Sequence, residues 1–228
     1  MLPVLVLILL FIILLLPQFW VQKVIKKYSE PIETLQGTGG ELAQHLVKRF
    51  DLDGVSIKKV ENGNDHYNPE TKTIALSESN YDQKSLAAVT IAAHEFGHAL
   101  QHKTNYKPLL LRTTLAKFAA VAEKIASVIL IASPFAFILA KIPAIGLIML
   151  LAGFTIMCLP VILHIITLPV EFDASFNRAL PILNEGEYLS SSTMPIAKKI
   201  LTAAALTYVS ASLSSLLNFY RWFLILRR

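Results

Sequence analysis

The sequence predicts a mainly α-helical membrane protein: about four transmembrane helices with a small α+β domain (a helix, a strand pair and a histidine-bearing helix) completed by a glutamate-bearing helix. Three observations lead there. The 228 residues are 54% hydrophobic and only 16% charged, against roughly 45–50% and about 25% in soluble domains, and the mean hydropathy is +0.54. The charges are segregated, so that residues 1–22, 125–140, 142–170 and 200–220 carry no Asp, Glu, Lys or Arg. Residues 23–117, by contrast, hold 13 basic and 11 acidic side chains, the mixture of a domain in water. Such a composition excludes disordered and fibrous classes. The net charge of +5 comes from cations scattered beside apolar segments, which reads as membrane flanks rather than a nucleic-acid surface.

In chain order, 1–22 is expected to be a transmembrane anchor, since it is about the ~20 residues a spanning helix needs. Lys23, Lys26 and Lys27 follow it, so positive charge places the next segment in the cytoplasm. Within 23–117, Thr38-Gly39-Gly40-Glu41 reads as a capping box, and Leu42, Leu46 and Phe50 form the buried stripe of the helix it opens. Asp53-Gly54 ends that helix. VSIKKV (55–60) and TKTIALS (71–77) are β-branched runs separated by turn-rich ENGNDHYNPE, the pattern of a short strand pair. A second helix starts near Ser85. Residues 118–170 form a transmembrane hairpin and 171–199 a helix and loop in which Pro169 can start the helix and Pro181 must end it. Residues 200–228 are a last membrane helix with a basic tail. By parity of crossings, the 23–117 domain and Glu171 share the cytoplasmic face.

The chemistry lies in His94-Glu95-Phe96-Gly97-His98, an HExxH sequence. On a helix His94 and His98 are one turn apart and point the same way, near enough to hold one zinc ion, while Glu95 lies about 100° round, where a base for an activated water is needed. The lone Cys158 excludes an intrachain disulfide and a cysteine zinc module. A catalytic zinc typically has three protein ligands. Gln101 and Thr104 occupy the positions where an HExxHxxGxxH pattern needs Gly and His, so the third ligand is a distant carboxylate. Glu171 and Asp173 are the only acids between Lys124 and Glu185. A further donor for a developing oxyanion is sought among His66, Tyr67 and Arg178. His164 reads as packed in its apolar helix, and His45 and His102 as solvent-exposed. Leu52-Asp53-Gly54 resembles the LDG of intramembrane site-2 proteases but precedes HExxH in a polar segment, so it reads as a turn.

Three blocks, DHYNPETKTIALSE (65–78), AAHEFGHALQH (92–102) and LPVEFDAS (168–175), resemble the YugP-like bacterial membrane zinc metallopeptidases, relatives in pattern of the gluzincins. The resemblance spans most of the chain. It implies a zincin-like domain in which His94, His98 and Glu171 bind one Zn2+ and Glu95 is the catalytic base. Related HtpX-like membrane proteases have an acid four residues after the glutamate ligand, where this chain has Ser175, which leaves open whether Asp173, Ser175 or neither supports a ligating histidine. The function expected is a multi-pass, membrane-bound zinc endopeptidase facing the cytoplasm, acting on peptides or membrane proteins, with TIALS (73–77) pairing an extended substrate backbone. The alternative is a non-catalytic membrane protein with a structural zinc site or a peptide-binding role. Glu95 favours the enzyme, because a purely structural site has no use for an unligated acid beside its metal.

Overall fold

The computed structural model of the chain describes residues 19–61, 64–140, 148–149, 151–152, 159–206 and 208–209. Helix α1 covers residues 19–28 and sends Val21 and Val24 into the core. Helix α2, Gly39–Arg49, opens with both halves of the expected capping box: Glu41 N–H donates to Thr38 Oγ1 at 3.1 Å and Thr38 N–H donates to Glu41 Oε2 at 2.8 Å. Two of the orphan donors at the helix start are thereby satisfied. Asp51, at φ 48°, and Gly54, at φ 82°, turn the chain away after the helix.

The sheet corrects the expected strand pair. Strands β1 (Ser56–Val60), β2 (His66–Asn68) and β3 (Thr73–Ser77) form a three-stranded sheet in the order β1-β3-β2. β1 and β3 do pair, but in parallel, with Ile57 opposite Ile74. β2 lies in the stretch read as turn and runs antiparallel to β3, with Tyr67 opposite Ile74. Three residues are too few to show an alternating pattern, so the turn residues around them dominate the sequence signal. Asn68 Oδ1 accepts from the N–H groups of Glu70 and Thr71, an Asx turn that folds β2 back onto β3. β3 is therefore central, with both edges occupied, and the expectation that TIALS receives a substrate strand is overturned.

A short helix α3, Glu78–Asp82, leads into α4, Leu86–Lys103, where Ser85 Oγ accepts from Ala88 N–H as N-cap. α4 is buried on nearly every side: α2, α3, the sheet and the glutamate-bearing helix all pack on it. Its small residues make this possible. Ala87, Ala88, Ala92, Ala93 and Gly97 allow neighbours to approach from several directions at once. Helix α5, Lys107–Ala140, follows after a three-residue turn and leaves Leu111, Phe118, Val121, Ile125 and Val128 exposed.

The glutamate-bearing helix begins earlier and ends later than its prolines suggested. α6 (Leu159–Phe172) contains Pro169 in its interior, passes into a π-helix over Asp173–Ala179 and continues as α7 (Leu180–Glu185) with Pro181 in its first turn. The π-segment shifts the hydrogen-bond register, and a proline lacking N–H is tolerated where the α-register is being re-established. Helix α8 covers residues 194–206 and adds Ala197, Ile200 and Leu201 to the core. Among the described residues one helix, Leu159–Glu185, is long and apolar enough to cross a membrane, and the four expected spans are not confirmed. Most of the anchor at 1–22, the middle of the 118–170 hairpin and most of 200–228 lie outside the described residues.

Gly97 sits where α4 meets the π-helix, and a Cβ there would lie 2.7 Å from the carbonyl oxygen of Ala174. Because the obstacle is backbone, it cannot swing aside. Gly97→Ala is expected to destabilise the chain by about 1–3 kcal/mol, seen as a lower apparent melting temperature by circular dichroism in detergent. An unchanged melting temperature would show that the two helices separate freely.

Candidate metal centre

α4 supplies two imidazoles and α6 a carboxylate to one buried point. His94 and His98 stack edge to face, with ring centroids 4.7 Å apart at 81°. Glu171 Oε2 lies 3.2 Å from His94 Nε2 and 3.4 Å from His98 Nε2, and one ligand atom from each residue falls within 4.8 Å of the others. All three side chains are buried, Glu171 to 1% exposure. Two nitrogens and one carboxylate oxygen, converging with no sulfur, are a donor set suited to Zn2+ with a position left open. The second carboxylate oxygen, Oε1, is buried and accepts no hydrogen bond among the described residues. Arg112 Nη1 stands 3.7 Å from it.

Each histidine is held from behind. Ser175 Oγ lies 3.1 Å from His94 Nδ1, and Gln101 Oε1 lies 2.9 Å from His98 Nδ1. Gln101 in turn donates to Val170 O and to Asp173 Oδ2, both at 2.8 Å. Asp173 also accepts from Arg178 Nε at 2.7 Å and from Asn177 Nδ2 at 3.1 Å. The Arg178 guanidinium lies over the Tyr106 ring, 5.6 Å from its centroid. Ser175 thus touches a histidine directly, while Asp173 reaches one through Gln101.

Glu95 is not one of the converging three. It is 6% exposed, and burial pushes its carboxyl up to about 7, with the His94 ring opposing the rise and the Glu171 carboxylate adding to it. A cleft of about 360 Å3 opens beside the centre between β2 and the start of α5, lined by His66, Tyr67, His98, Leu109, Arg112 and Lys117 among others. Lys117 Nζ pairs with Glu70 across it at 2.6 Å.

The structure places the remaining candidates as follows. His66 is exposed at the cleft, its Nδ1 2.8 Å from Asn64 O. The Tyr67 hydroxyl lies 2.8 Å from His102 Nδ1, so His102 is partly buried with a partner rather than solvated. Arg178 faces Asp173 and Tyr106. His164 is partly buried in α6, outside the converging group, and His45 is exposed. Three residues escaped sequence reasoning: Gln101, Arg112 and Tyr208, whose phenol faces Glu171. Gln101 carried a usable signal, since i+3 from His98 on a helix is the same face. Arg112 and Tyr208 carried none.

Comparison with known proteins agrees with the family resemblance. The chain matches, over residues 3–227, the family described as "Putative neutral zinc metallopeptidase". A protein of Bacillus subtilis (strain 168), "Putative membrane protease YugP", is 34% identical over 209 residues, covering 91% of this chain and 89% of that protein. No solved structure matches the chain.

Burial pushes the Tyr67 phenol up to about 12. The folded chain therefore holds this proton more tightly than the unfolded chain, which releases it near about pH 10. Stability from this group is complete below about pH 10 and falls as the pH rises toward 12. Across that window the parent's melting temperature is expected to drop more steeply than that of Tyr67→Phe in a pH series of thermal scans. Parallel curves would mean that the phenol is open to solvent.

Proposed function

The chain belongs to this zinc metallopeptidase family, and from that premise we propose that it is a membrane-bound endopeptidase in which His94, His98 and Glu171 hold one zinc ion and Glu95 is the general base. The observation that carries the reading is the burial of two imidazoles and a carboxylate around one point, next to a second carboxylate that is not part of the group. A zinc ion held by His94, His98 and Glu171 would supply Lewis acidity toward a scissile carbonyl and a water. Glu95 is the base that takes a proton from the attacking water and returns it to the leaving amine. Burial raises its proton affinity above that of an exposed carboxylate, which suits a group that must take up and return a proton.

Substrate enters the cleft between β2 and α5. β2 is an edge strand of the sheet, so an extended peptide backbone can add to its open side. Arg112 lines that cleft and is the cation nearest Glu171. It supports the negative charge that develops on the attacked carbonyl oxygen. The apolar helix Leu159–Glu185 carries Glu171, and α5 exposes an apolar face. These features support a reaction at a membrane boundary, with segments of membrane proteins or peptides as substrates. Lys23, Lys26 and Lys27 favour the cytoplasmic side.

The test is zinc per chain in detergent-purified protein, with peptide hydrolysis measured on the same samples. The parent is expected to hold about one zinc, and His98→Ala and Glu171→Ala to lose it. Glu95→Gln is expected to keep the metal while its rate falls by about 10²–10⁴-fold. Zinc retained in Glu171→Ala, or a parental rate in Glu95→Gln, would overturn the assignment. Arg112→Ala is expected to keep zinc and lose about 10²–10³ in kcat, and a parental kcat would remove Arg112 from the mechanism.

A further inference from the structure

Gln101 is fully buried one turn beyond His98 on α4, and its amide has two different ends. The neighbours of Nε2 are the carbonyl oxygen of Val170 and the carboxylate of Asp173, each at 2.8 Å. A carbonyl can only accept. Asp173, with Arg178 Nε on its Oδ2 at 2.7 Å and Asn177 Nδ2 on its Oδ1 at 3.1 Å, is surrounded by donors and accepts as well. Two acceptors match the two N–H bonds of the amide nitrogen, so this end of Gln101 is determined by its surroundings.

The other end follows. Gln101 Oε1 then faces His98 Nδ1 at 2.9 Å, and an oxygen there requires the ring to donate. His98 carries its proton on Nδ1, which leaves the lone pair of the neutral imidazole on Nε2, the nitrogen 3.4 Å from Glu171 Oε2. Reversing the amide would press its oxygen against two acceptors and offer N–H to Nδ1. The proton would then sit on Nε2 and block it. The Nδ1 side of His94 imposes no such constraint, because its neighbour at 3.1 Å is the Ser175 hydroxyl, which can donate or accept.

We propose that Gln101 is a positioning residue that selects the metal-binding tautomer of His98, and that Asp173, held by Arg178, sets the orientation of the Gln101 amide. The control runs as Arg178 to Asp173 to Gln101 to His98, from the π-helix into α4. It rests on the metal assignment of His98 made above, but its first consequence is a property of the ring itself. Of the two histidines of HExxH, only His98 has an Nδ1 partner that commits it to one tautomer.

The experiment is nitrogen NMR of histidine side chains in the metal-free full-length chain in detergent, at a pH where the imidazoles are neutral. Zinc affinity is then measured by competition with a chromophoric chelator. The parent is expected to show His98 protonated on Nδ1. Gln101→Leu is expected to give a mixture of tautomers and to weaken zinc binding by about 10–100-fold. Asp173→Asn, which keeps the shape and can donate as well as accept, covers the case in which Gln101→Leu fails to fold and is expected to shift His98 in the same direction. A His98 signal unchanged in Asp173→Asn, or a parent protonated on Nε2, would overturn the proposal. A parent that binds no zinc yet shows the tautomer shift would sink the metal reading while leaving the positioning role standing.

Discussion

The backbone contact between Gly97 and Ala174 governs everything around the centre. A Cβ on residue 97 would stand 2.7 Å from the Ala174 carbonyl oxygen, so the two helices meet with nothing between their main chains. The functional side chains bracket this contact in sequence. His94 and His98 lie on either side of Gly97, and Glu171 and Ser175 on either side of Ala174. Short side chains such as Ser175 and Glu171 can reach an imidazole only because the helices are this close. The alanines that line the rest of α4 have the same effect on its other neighbours, which lets one helix be the core of the fold and the floor of the site.

Charge is organised around that core by pairing across elements. Burying an ionised carboxylate is costly unless it is matched, and Glu171 and Asp173 both meet partners from other elements. Glu171 on α6 faces two histidines of α4 and the Arg112 guanidinium of α5. Asp173 meets Arg178 along the π-helix and receives Gln101 from α4. Glu95 is the exception. Burial outweighs the opposing charges of His94 and Arg112, and the Glu171 and Asp65 carboxylates add to it, so its carboxyl moves up rather than down, which separates its behaviour from that of the carboxylates grouped around it.

Much of this could be read from the chain, and the divide is physical. Local signals held: the reciprocal bonds of Thr38 and Glu41, the Ser85 cap and the one-turn spacing of His94 and His98 are settled within a few residues of sequence. The three blocks around the histidines and Glu171 were legible too, because HExxH and an isolated acid at the end of an apolar stretch are rare patterns. What failed depends on distant partners. β2 exists because β3 has a second edge to fill, and Pro181 stays within a helix because the preceding π-segment alters the bonding register. Gln101 looked like a mere failure of a longer histidine motif until Val170 and Asp173 gave its amide something to hold. Arg112 needed the turn between α4 and α5 to bring it over Glu171.

The separation of His94 and Glu171 by 77 residues has a bearing on how the chain survives in its fully folded form. With one cysteine in the sequence, no disulfide can tie these segments together. An ion shared by the triad would serve as the cross-link, closing a long loop and removing conformational freedom from the denatured ensemble. Free ion at a thousand times its dissociation constant adds about 4 kcal/mol to the folded state, comparable to a good part of a small domain's whole stability. Scarcity of the ion would then show first as a shortage of protein, cleared by quality control, and only second as a silent active site.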